Sequence, residues 1–284
     1  MVNNLIVVSD LHCGCQFGLC PNKKFTLDGG GYYKPSPLQK KVYELWRIFW
    51  DEYVPLLTRD EPYAICINGD TLDGRHHGSV SQISQNLSDQ KKIAEEIIFP
   101  LTEKCAQDSK ARPLLFITRG TEAHVGASAE NEETLAEQVG AIPDETGNYA
   151  RNELWIRLSG ENGCLCHIMH HIGTTGSTHY ESSAVNKELI EEFNEAARWN
   201  TTPPDVVIRS HRHRHVKIEI DTHRGYGISE VTPGWQLKTP FSYRVAGGRI
   251  STPQFGGVLV RQGDEEFFTR HKCWNIERGR EVIL

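Results

Sequence analysis

The chain has 284 residues, of which 38% are hydrophobic and 24% are charged, and its formal net charge is −6 at pH 7. This composition is ordinary for a globular protein, and no apolar stretch reaches the roughly 20 residues that a membrane helix needs. The acidic balance gives no overall electrostatic preference for nucleic acid, which leaves only local basic patches for such a partner.

Apolar, β-branched runs alternate with segments of helical periodicity through the first half of the chain. We predict strands at residues 5–9, 64–68 and 114–118. We predict helices at about residues 38–57, 89–104 and 130–139. Because the first strand begins almost at Met1 and no signal peptide precedes it, we expect a cytoplasmic protein.

The pattern in the second half of the chain predicts mostly strands, with one further helix among them. Strands are predicted at residues 154–158 and 164–169, followed by an amphipathic helix at 184–198. The remainder is mostly β, with strands at 206–209, 216–220, 227–231, 257–261 and 266–270. This order indicates an α/β protein and by itself also allows a simple doubly wound sheet. Since no internal repeat, low-complexity tract or linker is visible, we expect one domain over residues 1–284.

Five short clusters of Asp and His follow or close these strands in a fixed order. They are Asp10-Leu11-His12, Gly69-Asp70, Gly120-Thr121-Glu122-Ala123-His124, His170-His171 and Ser210-His211-Arg212-His213. Each cluster alone is a weak signal, but strands that end in metal-type ligands gather distant residues into one site of an α/β fold. The sequence therefore predicts a metal centre.

The donor types indicate which ions this centre holds. Carboxylate and imidazole donors without a thiolate cluster suit Mn, Fe, Zn or Ni. The donors are Asp10, His12, Asp70, His211, His213 and one of the pair at 170 and 171. This number is too large for one open catalytic ion and fits two divalent ions that share a bridging carboxylate.

The eight cysteines do not form a disulfide framework. We interpret them as reduced thiols in a reducing compartment. A zinc site formed by Cys13, Cys15 and Cys20 is an alternative, although their spacing matches no usual Cys-x-x-Cys pair.

The order Asp-x-His, Gly-Asp, Gly-Asn-His-Asp/Glu, His, Gly-His-x-His resembles the calcineurin-like metallophosphoesterase superfamily, and the match runs from Asp10 to His213. The resemblance implies an α/β sandwich of two packed mixed β-sheets flanked by helices. It implies that a first ion is held by Asp10, His12, Asp70 and His213. It implies that Asp70 bridges to a second ion, which His170 and His211 complete.

The chain departs from this pattern at two places. Ser210 replaces the usual Gly, and residues 120–124 stand where Gly-Asn-His-Asp/Glu is expected. In a straight alignment Thr121 replaces the Asn ligand and Glu122 replaces the histidine. With one extra loop residue, Glu122 supplies the oxygen ligand and His124 takes the histidine's role. We favour the second alignment because it restores a strong oxygen donor and an imidazole.

Neighbouring polar residues are candidates for substrate contacts. Strand alternation and the resemblance favour His170 over His171 as the ligand, which leaves His171 as a substrate contact. Arg75 and His77 follow the strand of the bridging ligand, and Arg suits bidentate contacts with oxyanions. We therefore predict that Arg75, His77 and His171 bind substrate.

These features together predict a metal-dependent phosphoric ester hydrolase. Its reaction is the in-line attack of a metal-bound hydroxide on the phosphorus of a phosphomonoester or phosphodiester. Asp70 is the catalytic bridging carboxylate, and His124 protonates the leaving oxygen or steadies its charge. The favoured substrate is a phosphorylated small molecule.

Two other functions stay open. A DNA or RNA nuclease acting on nucleic-acid phosphodiesters requires a basic face, for which Arg209, Arg212, Arg214 and Lys217 are candidates. A non-catalytic scaffold with a degenerate metal site is favoured only by the altered third motif. We expect no membrane partner, and the sequence does not specify the oligomeric state.

Overall fold

A computed structural model describes residues 2–76, 78–109, 114–173, 178–245 and 251–275. The first strands are β1 (Asn4–Val8), β2 (Phe25–Thr26), β3 (Tyr32–Tyr33), β4 (Tyr63–Asn68), β5 (Leu114–Thr118) and β6 (Ala150–Arg151). The later strands are β7 (Leu154–Arg157), β8 (Leu165–Ile168), β9 (Val206–Arg209), β10 (Val216–Thr222), β11 (Gly225–Val231), β12 (Gln254–Gln262) and β13 (Phe267–Asn275).

The helices are α1 (Pro37–Ile48), α2 (Val54–Thr58), α3 (Leu87–Ser109), α4 (Glu122–Val125), α5 (Glu130–Gln138) and α6 (Glu181–Trp199). Each strand and helix predicted from the sequence has a counterpart here. The short hairpin β2–β3, the two-residue strand β6 and the single turn α4 were not predicted. These elements are too short to show a periodic pattern.

The helix predicted at residues 38–57 is α1 and α2 joined by a π-helical turn at Phe49–Tyr53. Ser36 begins it with a capping box. The Ser36 side chain accepts a hydrogen bond from the backbone N–H of Gln39, and the Gln39 side chain accepts one from the Ser36 N–H. Pro37 occupies the first helical position, where its missing N–H has no consequence. The segment ends at Arg59, which is left-handed with φ 55°.

Two mixed sheets form the body of the protein. The six-stranded sheet has the order β13-β12-β1-β4-β5-β6, and the five-stranded sheet has the order β10-β11-β9-β8-β7. Strands β1, β4, β5 and β6 run parallel to one another. Strand β12 pairs with β1 in antiparallel fashion, and β13 pairs with β12 in the same way. In the second sheet, β8, β9 and β11 are parallel to one another. The predicted fold of two mixed sheets flanked by helices is confirmed.

Alternation along β1 shows how the layers are packed. Leu5 and Val7 belong to a buried cluster that also contains residues of β8 and β9, so this face packs against the other sheet. Ile6 and Val8 belong to a second cluster with residues of α1 and α3. Since a strand directs successive side chains to opposite faces, β1 is buried on both sides. Each such side chain contributes about 1.5–3 kcal/mol of hydrophobic stabilisation.

No helix among the described residues is long and apolar enough to cross a membrane. The described cysteines are free thiols, as the sequence predicted. Burial raises the pKa of Cys13 well above its usual range and the pKa values of Cys15 and Cys20 to about 12. The alternative of a zinc site at these three cysteines stays a prediction.

Candidate metal centre

The carboxyl ends of five strands from both sheets meet at one edge of the sandwich. Residues that follow these ends are Asp10 after β1, Asp70 after β4, Thr121 after β5, His170 after β8, and His211 and His213 after β9. Parallel strands place their carboxyl ends together, and the two sheets present these ends side by side. The five sequence clusters therefore converge on one site.

Asp70 lies at the middle of this site. Its Oδ2 is 3.1 Å from His170 Nε2, 3.9 Å from His12 Nε2 and 3.9 Å from His211 Nδ1. The carboxylate is 1% exposed. It therefore faces imidazoles that reach it from different strands, which is the position a bridging ligand needs.

Asp10, His12 and His213 form one half of the site. Their ligand atoms lie within 4.8 Å of one another, and Asp10 Oδ1 is 3.2 Å from His213 Nε2. Burial opposes ionisation of Asp10, but the imidazoles of His213 and His170 hold its pKa well below the usual range. Asp10 is therefore a carboxylate that is ready to bind a cation.

His170 belongs to the other half and is completely buried. Its Nδ1 is 2.7 Å from the backbone carbonyl of Asn68. A carbonyl only accepts, so Nδ1 carries the proton and Nε2 turns toward Asp70. Burial disfavours a charged imidazole, yet the carboxylates of Asp70 and Asp10 raise the pKa of His170 to about 10. The two carboxylates thus favour a positive charge at this position, between the ring and themselves.

A divalent cation fits that requirement. His12 Nε2 and His170 Nε2 are buried and have no hydrogen-bond partner among the described residues. Buried polar atoms without partners are costly, and two imidazole nitrogens facing a shared carboxylate form the donor set of a metal site. The residues present therefore fit the predicted ions.

Backbone conformation sets these ligands apart from most of the chain. Asp10, His12, Asp70, His211 and His213 all have positive φ, from 44° to 73°. Non-glycine residues rarely adopt this conformation, although Asp and His tolerate it better than most. Such strain persists where the surrounding structure enforces it, typically at functional sites.

Two glycines allow the loops of the site to approach closely. A Cβ at Gly120 would lie 2.2 Å from the backbone nitrogen and Oδ1 of Asp70, and one at Gly69 would lie 2.4 Å from Nδ1 of His170. No side chain fits at either position without displacing a ligand. Gly69 also has a φ of 75°, which glycine adopts freely.

Asp73 is a site residue that the sequence analysis missed. Its buried carboxylate lies 3.4 Å from His12 Nδ1 and 3.4 Å from His76 Nε2. Burial opposes its ionisation, but contacts with His12 and His76 keep the pKa of Asp73 below its usual range. A carboxylate behind a ligand histidine orients the ring. The spacing Asp70-x-x-Asp73 was the available signal.

A chain of buried hydroxyls holds the strand ends in place and was also missed. Asn68 Nδ2 donates to Ser210 Oγ at 2.6 Å, and Ser210 is 2.7 Å from Thr232 Oγ1. Thr232 in turn is 2.7 Å from Ser9 Oγ, which donates to Asp10 Oδ2 at 2.6 Å. Ser210, which replaces the usual Gly, thus connects Asn68 to Thr232 in this series of hydrogen bonds. A fully satisfied polar network of this kind rigidifies the ligands.

The third motif forms the helical turn α4, which decides where its side chains point. The Thr121 backbone N–H donates to Asp70 Oδ1 at 2.6 Å, and Thr121 Oγ1 is 3.2 Å from Asp70 Oδ2 and 3.2 Å from His211 Nδ1. The side chain of Glu122 is exposed. The Thr121 hydroxyl is therefore within hydrogen-bond distance of Asp70 and His211, and which side chain of this motif binds metal stays a prediction.

His124 reaches the site three residues after Thr121, on the same side of the turn. Its ring lies 4.6 Å from that of His12, and one of its nitrogens is grouped with ligand atoms of His12 and Asp70. Nδ1 donates to the Asp73 carbonyl at 2.7 Å. Burial and the neighbouring His12 lower the pKa of His124 to about 4, so the ring is neutral at pH 7. Thr121 and His124 thus both lie at the site, and the choice between the two alignments stays a prediction.

Thr121→Val tests this placement against Glu122→Gln. Valine keeps the shape of threonine and removes the hydroxyl, so we expect about a 10-fold to 100-fold weaker affinity for the metal, as for other groups that orient a metal site. Glu122→Gln should leave affinity unchanged. Isothermal titration of the metal-free protein with Mn²⁺ measures both values. A larger loss for Glu122→Gln would restore Glu122 as the ligand.

The predicted substrate-binding residues lie at different places in the structure. Arg75 Nε donates to the carbonyl of Gln85 and is exposed. His171 is also exposed, and its ring stands 5.4 Å from that of the ligand candidate His211. His77 lies outside the described residues.

A cleft of about 530 Å³ opens over the candidate ligands. Its floor includes His12, Asp70, Thr121, His124, His211 and His213. Its walls carry the basic residues Arg212, Lys238 and Arg244. A cleft of this size accommodates a small molecule, and the basic wall favours an anionic one.

No protein-family model matches the sequence, and no curated protein matches it. Solved structures do resemble the fold. Vacuolar protein sorting 29 from Cryptosporidium parvum is 8% identical, with 96% of this chain and 98% of that chain covered and a TM-score of 0.36. A predicted phosphoesterase from Streptococcus pneumoniae is 10% identical, with 96% and 98% covered and a TM-score of 0.32.

A third structure is the sulfate thiohydrolase SoxB from Thermus thermophilus in complex with glycerol. It is 11% identical, and the alignment covers 96% of this chain but only 56% of that chain, with a TM-score of 0.38. These low identities and TM-scores do not identify a function for this chain. The motif order, the two mixed sheets and the convergence of the candidate ligands are observations on the chain itself.

Proposed function

We propose that this chain, whose motif order and sheet arrangement are those of a calcineurin-like metallophosphoesterase, hydrolyses phosphate esters with two divalent metal ions. The observation that carries the proposal is the buried Asp70 carboxylate, whose Oδ2 lies within 3.9 Å of imidazole nitrogens of His12, His170 and His211. A carboxylate shared between two sets of imidazoles is the mark of a dinuclear centre.

The residues divide into two ligand sets. Asp10, His12 and His213 would hold one ion together with Asp70. His170, His211 and the Thr121 hydroxyl would hold the other, again with Asp70. When bound, two such ions lower the pKa of a shared water and screen charge on phosphoryl oxygens.

The remaining residues orient the ligands and the substrate. Asp73 and the Asn68 carbonyl fix the rings of His12 and His170, so little reorganisation accompanies the reaction. His124 holds its proton on Nδ1 and presents Nε2 to the site, where the ring can take up a proton and pass it to the leaving oxygen. Arg212, Lys238 and Arg244 favour an anionic substrate in the cleft.

Small phosphorylated molecules are favoured over nucleic acid by the basic residues near the last motif. Arg209 is buried and paired with Glu188 and Glu192, so it contributes nothing to a surface. Arg214 and Lys217 are likewise paired, with Glu181 and Glu219 respectively. A nuclease needs unpaired basic groups in a continuous track.

Metal content and hydrolysis measured on one preparation test the proposal. We expect about two ions per chain in this centre, counted by mass spectrometry after loading with Mn²⁺, Zn²⁺ or Ni²⁺ as the difference between the wild type and Asp70→Asn. We also expect turnover of bis-p-nitrophenyl phosphate or p-nitrophenyl phosphate that depends on added metal, and the preferred ester separates diesterase from monoesterase. Chelation should abolish turnover. Protein that binds no ion in this centre and hydrolyses neither ester would favour a non-catalytic scaffold instead.

A further inference from the structure

A second group of metal-type side chains lies at the edge where the two sheets meet. His215, His271 and Cys273 each offer one ligand atom, and these atoms all lie within 4.8 Å of one another. His215 precedes β10 of the five-stranded sheet, whereas His271 and Cys273 belong to β13 of the six-stranded sheet. Being two residues apart on a strand, His271 and Cys273 point to the same face. With Glu230 of β11, these residues are called the edge cluster.

Glu230 is a buried carboxylate that lies against His215 of this group. Its side chain is 0% exposed, and its Oε2 lies 3.0 Å from His215 Nε2. Its Oε1 is buried and has no hydrogen-bond partner among the described residues. A buried carboxylate oxygen without a donor is costly. A bound cation would remove that cost.

The edge cluster brings two imidazole nitrogens and one thiol sulfur together. Cys273 would release its proton when a cation binds, as thiol ligands do.

We propose that the edge cluster is a structural Zn²⁺ site, with Cys273, His215, His271 and Glu230 as its four ligands, that joins β13 to the opposite sheet. Two imidazoles, one thiolate and one carboxylate are donors that Zn²⁺ accepts in tetrahedral geometry, and their charge balances the ion. Tetrahedral Zn²⁺ with bonds of about 2.0–2.3 Å holds its ligand atoms about 3.5 Å apart. The ligand atoms of His215, His271 and Cys273 need to close by only about 1 Å from the 4.8 Å limit.

Cobalt substitution distinguishes this site from the candidate metal centre, whose proposed ligands contain no sulfur. The full-length protein is stripped of metal and titrated with Co²⁺. We expect a thiolate-to-cobalt charge-transfer band in the near ultraviolet together with intense tetrahedral d–d bands. The charge-transfer band should be absent in Cys273→Ala. Cys20→Ala, which removes a buried thiol elsewhere, is the matched control and should keep both bands.

Zinc content gives the second measurement. Mass spectrometry should find one Zn²⁺ fewer per chain in Cys273→Ala than in the wild type, while hydrolysis of p-nitrophenyl esters is the same in both. Zn²⁺ should raise the Tm of the wild type by about 5 °C more than that of the variant. Because the readouts are a sulfur band and a difference of one ion, they do not depend on whether the phosphoesterase proposal holds.

His271→Gln guards against an effect of misfolding, because the His271 side chain is exposed and its removal leaves the core intact. It should also lose the charge-transfer band. A wild type without the band, or variants with the same band and the same zinc content as the wild type, would show that the edge cluster is only a packing contact.

Discussion

Asp70→Asn is expected to remove both ions from the candidate metal centre and to lower kcat/KM by about 10³-fold or more. The physical reason is the position of the carboxylate between His12, His170 and His211. Asparagine keeps the shape but removes the negative charge that the two ions share. Mass spectrometry of the loaded protein measures the ions, and ester hydrolysis measures the rate.

His124→Ala is the informative comparison for this prediction. His124 lies against His12 but carries no charge to share, so its loss should slow turnover by about 10²-fold to 10⁴-fold while most of the metal remains. Asp264→Asn, an exposed carboxylate before β13, controls for the loss of one negative charge and should change neither value. Equal loss of metal in Asp70→Asn and His124→Ala would contradict this division of roles.

Glu132→Gln is expected to lower the free energy of unfolding by about 2–4 kcal/mol. Glu132 is completely buried in α5 and links two loops of the site. Its Oε1 accepts hydrogen bonds from the N–H and hydroxyl of Thr71, and its Oε2 accepts one from the N–H of Gly120 at 2.7 Å. The amide of glutamine places an N–H against one of these donors. Chemical denaturation measures the loss, and Glu137→Gln on the exposed side of α5 is the matched control.

This stability difference should depend on pH. Burial, despite the hydrogen bonds it receives, raises the pKa of Glu132 from 4.5 to about 7 in the folded protein. A raised carboxyl pKa means that the folded state binds the proton more tightly than the unfolded state. The stabilisation of the folded protein by protonated Glu132 is therefore complete below about pH 4.5 and is lost as the pH rises through about 7. The gap between wild type and Glu132→Gln is therefore expected to be wider at pH 5 than at pH 8. A gap that grows with pH would contradict the assignment.

The third motif adopts a local structure that the sequence did not predict. Residues 120–124 offered two alignments, neither of which anticipated that the loop closes into the turn α4. Within a helical turn, residues three apart share one side, which brings Thr121 and His124 to the site and directs Glu122 to solvent. Four residues carry no periodic signal, so the turn was not readable in advance.

The sequence by itself determined the strands, the helices and the order of the ligand clusters. Period-2 and period-3.6 patterns of apolar residues report directly on burial, and Asp10, Asp70 and His170 stand next to such patterns. Their convergence was predictable because parallel strands share an edge.

Only the tertiary structure shows which residues support the site. Asn68, Asp73 and Glu132 act through contacts with chain segments far away in sequence, and a buried polar residue has no local pattern that names its partner. The edge cluster depends likewise on how β13 packs against the second sheet. Local propensity determines the strands and helices. The pairing of distant polar groups depends on how these elements pack, because packing brings each donor to its acceptor.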